Sequence, residues 1–197
     1  MSRAKQYNRD DLLNTAVELF RRQGYNATST AELVDELGVN RKSMYAEFGS
    51  KQQLFEATLD HYNDHHLSRV LAPLEGPDAG IDGIRRAFES YAEASTGWAR
   101  GRGCLLCNTA VELGALTAGV DRRVAAYFER LTRAFNNALE NSRRQGDLVP
   151  STDVDELAGF LTTALIGVAA SIRAEAPPGQ VRAACKLAVR TLDWFRP

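Results

Sequence analysis

The chain has 197 residues, 44% of them hydrophobic and 25% charged, with a formal net charge of −1. This is the composition of an ordinary soluble globular protein, long enough for one large domain or for a small domain joined to a larger one. Three cysteines, an odd number, exclude a disulfide framework, and the near-zero charge leaves any attraction to nucleic acid to local patches.

The first eight residues are a polar, basic lead-in, with Arg3 and Lys5 available either as a minor-groove arm or as part of a mobile tail. No signal-type apolar segment opens the sequence and no apolar run approaches a membrane span, so a cytoplasmic protein without membrane association is expected. Asp10 or Asp11 is expected to start a helix over 10–23, with Leu12, Leu13, Ala16, Leu19 and Phe20 at helical spacing and Gly24 as its stop. Ser29 and Glu32 have the spacing of a capping box, which opens a second helix over 30–37. Leu33, Val34 and Leu37 supply its apolar face, and Gly38 supplies the left-handed stop. Asn40 caps a third helix, 41–48, on which Met44, Tyr45 and Phe48 face inward by spacing while Arg41, Lys42 and Ser43 stand exposed at the amino end. Two short helices joined by a glycine turn make a helix-turn-helix, and the polar tip of the second suits a DNA major groove. Ser50 followed by Gln53 caps the next helix at Lys51.

Gly24-Tyr25, Thr28-Ser29, Gly38-Val39-Asn40, Tyr45, Phe48 and Lys51 resemble, in order and spacing, the amino-terminal domain of the tetracycline-repressor (TetR) family of bacterial transcription regulators. The resemblance is specific over about Leu12 to Leu54. It implies an all-α chain with a DNA-binding domain over 1–50 and a ligand-binding and dimerisation domain over 51–197. It also implies a homodimer whose last two helices pair in a four-helix bundle. Arg41, Lys42 and Ser43 would then read base edges, with Asn40 at the helix start, and Thr28, Ser29, Tyr45 and Lys51 would hold phosphates. Three positions depart from the family's pattern: Lys42 stands where a small residue is common, and Ala46 and Glu47 where aromatic residues or histidine are common. Glu47 near DNA is repelled unless it points away or accepts from cytosine.

Beyond Lys51 the chain reads as helical throughout, with helices expected at about 51–71, 82–98, 104–116, 121–144, 153–175 and 179–195 and a Pro/Gly-rich loop over 73–83. His61 and His65 are four apart with Asp64 beside them, but nothing else marks a metal site, and neither a metal nor a cofactor is expected. Helix 153–175 is apolar around more than half its circumference, too much for one packing face. Leu157, Phe160, Leu161, Ala164, Leu165, Val168 and Ile172, with Ala188 and Leu192 of the last helix, are therefore assigned to a two-fold interface. The competing reading is a helix central to its own monomer's core.

A pocket for a small-molecule inducer is expected among Phe88, Tyr91, Trp98, Cys104, Asn108, Glu112, Tyr127, Phe128, Phe135 and Leu165, an apolar set with a few polar fixtures. Gly103-Cys104 before a helix containing Asn108 also resembles the middle of many TetR-type ligand domains. Cys104 stands at a helix amino end near Arg100 and Arg102, which favours the thiolate, with Cys107 one turn on. It is a candidate sensor of electrophiles or oxidants, set against an inert buried thiol. The chain shows no phosphate loop, nucleophile elbow or catalytic triad, so an enzyme is not expected. The expectation is a dimeric repressor released from a palindromic operator by a small molecule. The alternatives are a helical ligand-binding dimer without DNA function, and a thiol-based regulator acting through Cys104.

Overall fold

A computed structural model describes residues 7–97, 99–113 and 118–197, and no strand occurs among them. The expected arm at Arg3 and Lys5, the pocket residue Trp98 and the end of the helix expected over 104–116 lie outside the described residues. The first helix, α1 (Arg9–Gln23), is capped by Asn8, whose side chain accepts from the Asp10 N–H at 3.0 Å. Asn8 rather than Asp10 or Asp11 starts it, because the short amide can fold onto the second amide while both acids remain in the first turn. Gly24, at φ +86°, ends α1 and returns its N–H to the Phe20 carbonyl.

The next two helices, α2 (Thr30–Glu36) and α3 (Arg41–Phe48), are fixed by local chemistry. The Ser29–Glu32 capping box is closed in both directions, at 2.7 and 3.2 Å. Gly38 turns the chain at φ +63°, and the Asn40 side chain accepts from the Ser43 N–H at 2.8 Å. Ser50 caps α4 (Lys51–Tyr62) in the same way through the Gln53 N–H. Leu33, Met44 and Phe48 are buried beneath these turns. Phe20 of α1 meets Phe55 of α4 edge-on at 4.8 Å, and Tyr25 lies 4.8 Å from the same ring. The small amino-terminal domain thus shares its core with α4, which it needs because three short helices bury little area alone.

The helix expected over 51–71 is interrupted. A π-turn at Asn63–Leu67 separates α4 from α5 (Ser68–Glu75), which runs on through Pro73 and shortens the expected loop. The wide turn shifts the Asn63 carbonyl to the Ser68 N–H, one residue beyond its α-helical partner, and the Ser68 hydroxyl and Arg130 donate to the same oxygen. The remaining helices are α6 (Ile81–Ala94), α7 (Leu105–Leu113), α8 (Ala118–Gln145), α9 (Val154–Arg173) and α10 (Pro178–Arg190), followed by a 3-10 turn at Thr191–Phe195. Gly83 lets α6 lie directly on α5, since a Cβ there would collide with the Pro73 carbonyl. Asp153 caps α9 by accepting from the Asp155 and Glu156 amides.

Most of the face assigned by sequence to a second protomer is core. Leu157, Leu161, Leu165, Val168 and Ile172 of α9 are buried, as are Ala188 of α10 and Leu192 of the terminal turn. α9 packs on both α8 and α10, so one stripe of leucines is consumed inside the monomer. Of the assigned face, Phe160, 46% exposed, and the half-buried Ala164 do point outward, on a stripe with the exposed Thr163, Gly167 and Ala170. By length and mean hydropathy alone α9 would suffice to cross a membrane, but its leucine face is occupied by neighbouring helices.

Candidate nucleic-acid interface and ligand cavity

The tip of α3 presents two unpaired cations. Arg41 and Lys42 are exposed, and no carboxylate pairs with either among the described residues. The Arg41 guanidinium lies 5.6 Å over the Tyr45 ring and contacts its hydroxyl at 3.5 Å. Hydrogen bonds from Arg41 and Thr30 pull the Tyr45 phenol below its usual range. Tyr45 is 36% exposed, which corrects the inward face expected from spacing: Met44 and Phe48 already fill the space beneath α3, and the ring turns out with Arg41. Ser43 is half-buried behind the Asn40 cap.

Glu47, the expected source of repulsion, folds back onto α1. Its carboxylate accepts from the Tyr7 hydroxyl and pairs with Arg9, each at 3.5 Å, and its side chain is 7% exposed. The negative charge is therefore neutralised behind the tip.

Two expected phosphate contacts are oriented differently from the sequence reading. Thr28 is fully buried and donates its hydroxyl to the Gly24 carbonyl at 2.6 Å, so that hydroxyl is not offered at the surface. Lys51 is half-buried, with Nζ donating to the Tyr25 carbonyl at 2.6 Å and lying 4.2 Å over the Tyr25 ring. Burial lowers its pKa, against the opposing attraction of Glu112 and Glu32. Both residues brace the turn after α1. Ser29 remains exposed, with its side chain closing the capping box, whose hydrogen bonds hold Glu32 below the usual carboxylate range.

A cavity of about 450 Å³ lies between the π-turn, α6 and the start of α7. Tyr62, His66, Tyr91, Cys104, Ile172 and the buried Arg21 contribute to its wall. A larger surface cleft, about 790 Å³, runs along the loop between α5 and α6 but is framed by polar loop residues. Of the expected pocket residues, Tyr91 and Cys104 line the 450 Å³ cavity. Phe88, Phe135 and Leu165 are buried in the core, and Tyr127 packs on the half-buried Phe128 at 5.4 Å. These five fill the interior because their helical spacing aims them at facing helices rather than at the gap beside the π-turn. Asn108 is a structural pin, its amide donating to the Arg102 carbonyl at 2.6 Å. Glu112 points out of the carboxy-terminal domain and accepts the backbone N–H groups of Tyr25 and Asn26.

Arg21, unremarkable as a last-turn cation in the sequence, is 1% exposed. Its Nε and Nη2 donate to the Gly103 carbonyl at 3.1 and 2.6 Å, Nη1 reaches Glu18, and the guanidinium lies 5.7 Å over Tyr62. A buried guanidinium persists only when its donors are satisfied in this way. Arg102 pairs with Glu18 at 2.9 Å, and Arg173 donates to the Arg22 carbonyl at 3.2 Å. These contacts tie α1 to the start of α7 and the end of α9. Their partners lie more than 80 residues away in sequence, so local patterning carried no signal of them.

All three cysteines are buried. The Tyr127 hydroxyl lies 3.8 Å from the Cys104 sulfur and 3.7 Å from that of Cys107. Burial raises the Cys104 pKa, but hydrogen bonds from the Cys107 thiol and amide, Tyr127 and Tyr62 outweigh it and bring the group to about 6. Cys107 is pushed upward, first by its bond to Cys104 and then by burial, and burial raises Cys185 to about 11. Two of the histidines are occupied elsewhere: His61 Nε2 meets Asn14 Oδ1 at 2.9 Å, and its ring stacks on His65 at 4.2 Å.

Residues 12–58 match the sequence model for bacterial regulatory proteins of the tetR family, and residues 80–188 match that for the tetracyclin repressor-like C-terminal domain. The chain is 31% identical to the HTH-type transcriptional regulator YezE of Bacillus subtilis, over 82% of this chain and 84% of that protein. It is 30% identical to the HTH-type transcriptional repressor ComR of Escherichia coli, over 87% and 82% of the two chains. Among solved structures it is similar to a cysteine mutant of the TetR family regulator CifR complexed with 26bp double-strand operator DNA. That likeness has a TM-score of 0.82 at 29% identity and covers 95% of this chain and 98% of the other. Taken with the capped helix-turn-helix and the helical domain behind it, these matches place the chain in the tetR family of bacterial regulatory proteins.

Proposed function

We propose that this chain is a transcriptional repressor that binds a palindromic DNA operator as a homodimer and is released by a small molecule entering the 450 Å³ cavity. The observation that carries the DNA half is the tip of α3, where Arg41 and Lys42 are exposed and, among the described residues, paired with no carboxylate, while Glu47 of the same helix is drawn back to α1. Arginine and lysine in that position suit guanine edges in a major groove. Asn40, Ser43 and Tyr45 flank them, and the amino ends of α2 and α4 at Ser29 and Ser50 offer positive dipole ends to phosphates. The exposed stripe on α9 and Leu187 of α10, 59% exposed, support self-association. We place the reading head in residues 1–50 and the ligand-binding and dimerisation domain in 51–197, with α4 linking them. A DNA-binding role supports a cytoplasmic protein, and no catalytic role is assigned.

Anisotropy of a labelled duplex selected from a random library tests this reading. Tight binding of a two-fold symmetric sequence, weakening steeply between 50 and 200 mM salt, is expected on the order of tenfold or more. Failure to enrich any sequence, with no salt-dependent binding to promoter DNA, would instead favour the helical ligand-binding dimer without DNA function.

A further inference from the structure

The polar groups on the floor of the 450 Å³ cavity are already spent. That floor is made by buried residues, among them Arg21, Tyr62, Leu67, Tyr91 and Ile172. Arg21 donates to the Gly103 carbonyl through Nε and Nη2 and to Glu18 through Nη1. The Tyr62 hydroxyl is hydrogen-bonded to Cys104, and that of Tyr91 to Tyr127. Among the described residues no buried polar side-chain atom lacks a partner. A molecule seated on this floor therefore meets satisfied groups and apolar surface, which suits an apolar body.

The mouth of the cavity is different. Arg69 and Glu93 stand exposed at its lip, on α5 and α6, with His66 half-buried three residues before Arg69. Glu75, the acid of α5, is taken by Arg130 at 2.6 Å, and among the described residues Arg69 pairs with no carboxylate. The His66 ring stacks on Tyr62 at 5.2 Å, so a flat wall runs from the mouth to the floor. Positive charge is in excess at the inner end as well, because the single carboxylate of Glu18 is shared by Arg21 and Arg102 at 3.2 and 2.9 Å.

We propose that the cavity takes a small monocarboxylate with an apolar body, its carboxylate held by Arg69 at the mouth and its body lying against Tyr62, Tyr91 and Ile172. This names the ligand class of the inducer site and rests on that reading of the cavity. A guanidinium meets a carboxylate through two parallel hydrogen bonds, which fixes orientation as well as charge. Glu93, across the lip, opposes a second negative charge and so limits the ligand to one. A cation on the same body would be repelled by Arg69 and by the uncompensated charge behind Tyr62. A neutral body would gain the apolar floor and nothing at the mouth.

The test is calorimetry on the full chain without DNA, using 3-phenylpropanoate, its methyl ester and 3-phenylpropylamine, which carry one body with negative, neutral and positive ends. The carboxylate should bind at a single site, the ester about tenfold more weakly, and the amine most weakly. Arg69→Gln should cost the carboxylate about tenfold and leave the ester unchanged, with Arg69→Lys in between. Glu93→Gln should tighten the carboxylate. Ala94→Phe, which fills part of the apolar wall, should weaken carboxylate and ester alike. Arg69 is exposed, so its variants should melt as the parent does, and they decide the matter even where Ala94→Phe fails to fold. An ester or amine that binds as tightly as the carboxylate overturns the proposal. So does a carboxylate that fails to bind, or one whose affinity ignores Arg69→Gln. Carboxylate binding that follows this pattern but leaves DNA affinity unchanged contradicts the inducer reading alone.

Discussion

The carboxylate of Glu112 on α7 accepts the backbone N–H groups of Tyr25 and Asn26 at 3.0 and 2.7 Å, so one side chain of the carboxy-terminal domain caps the turn that leads from α1 into the helix-turn-helix. The turn is fitted closely to this group, since a Cβ on Gly24 would collide with the carboxylate. Lys51 approaches the same turn from the other side through the Tyr25 carbonyl.

Replacing Glu112 by alanine leaves two turn amides to solvent. These bonds are charge-assisted but solvent-facing, so a loss of about 1 kcal/mol is expected, a fall of roughly 2–4 °C in Tm for a chain of this size. Gly24→Ala should be worse, on the order of 2 kcal/mol, because it adds left-handed strain to the displacement of Glu112. Thermal melts of the two variants and of the double variant check this. The double variant should lose less than the sum, since the alanine methyl then has no carboxylate to displace.

Lys51→Ala separates bracing from phosphate contact. A lysine that neutralises a phosphate reduces the salt slope of DNA binding by about one unit when removed. The Lys51 ammonium is already spent on the Tyr25 carbonyl and ring. The expected result is therefore a lower Tm and uniformly weaker DNA binding, with the salt slope nearly unchanged. Melting curves and a salt titration on one duplex distinguish the cases, and a slope change near one with an unchanged Tm would restore Lys51 to the phosphate set.

What was legible in the sequence follows the range of the interactions. The capping box at Ser29–Glu32, the Asn40 cap and the Gly38 turn each involve residues within a few positions, and all are read directly from spacing. The same locality fixed helix α3 to the residue. Orientation across helices was not legible. Thr28 reads equally well as a surface hydroxyl or a buried donor, and only the Gly24 carbonyl decides. Leu157, Leu161 and Leu165 read as surplus apolar area until α8 and α10 are seen on either side. The π-turn at Asn63–Leu67 has no local signature, because one of the donors to its Asn63 carbonyl, beside the Ser68 N–H, is Arg130 far along the chain. The cavity is lined by that turn, and among the described residues Tyr91 and Cys104 of the expected lining reach it.

His61 supplies a pH prediction. Burial, followed by the nearby His65, depresses its pKa below the usual 6.5, and the ring joins α4 to α1 through Asn14. His66 is depressed in the same direction, by burial and then by Arg21. The unfolded chain therefore binds these protons more readily than the folded one. Stability is fully present above about pH 6.5 and declines as pH falls through the lower folded values. Tm should drop between pH 7.5 and 5.5, and His61→Gln, which keeps a donor for Asn14, should flatten the profile. An equal slope in that variant would assign the effect elsewhere.

The self-association surface makes a prediction narrower than the one read from sequence, keeping Phe160 and setting the buried leucines aside. The outward residues are Phe160 on α9 and Leu187 on α10, whereas Leu161 and Leu165 are inside the monomer. Phe160→Glu combined with Leu187→Glu should leave the far-ultraviolet spectrum intact and convert a dimer into a monomer by light scattering. A single reading head makes half the phosphate and base contacts, so affinity for a two-fold duplex should fall by on the order of 100-fold or more while binding to a half-site is preserved. Leu161→Ala acts through a different mechanism. It opens a cavity in a buried stripe, and a loss of about 2–4 kcal/mol with no preferential effect on assembly is expected. If the glutamate pair unfolded the chain and Leu161→Ala dissociated it, the assignment of inner and outer faces of α9 would have to be reversed.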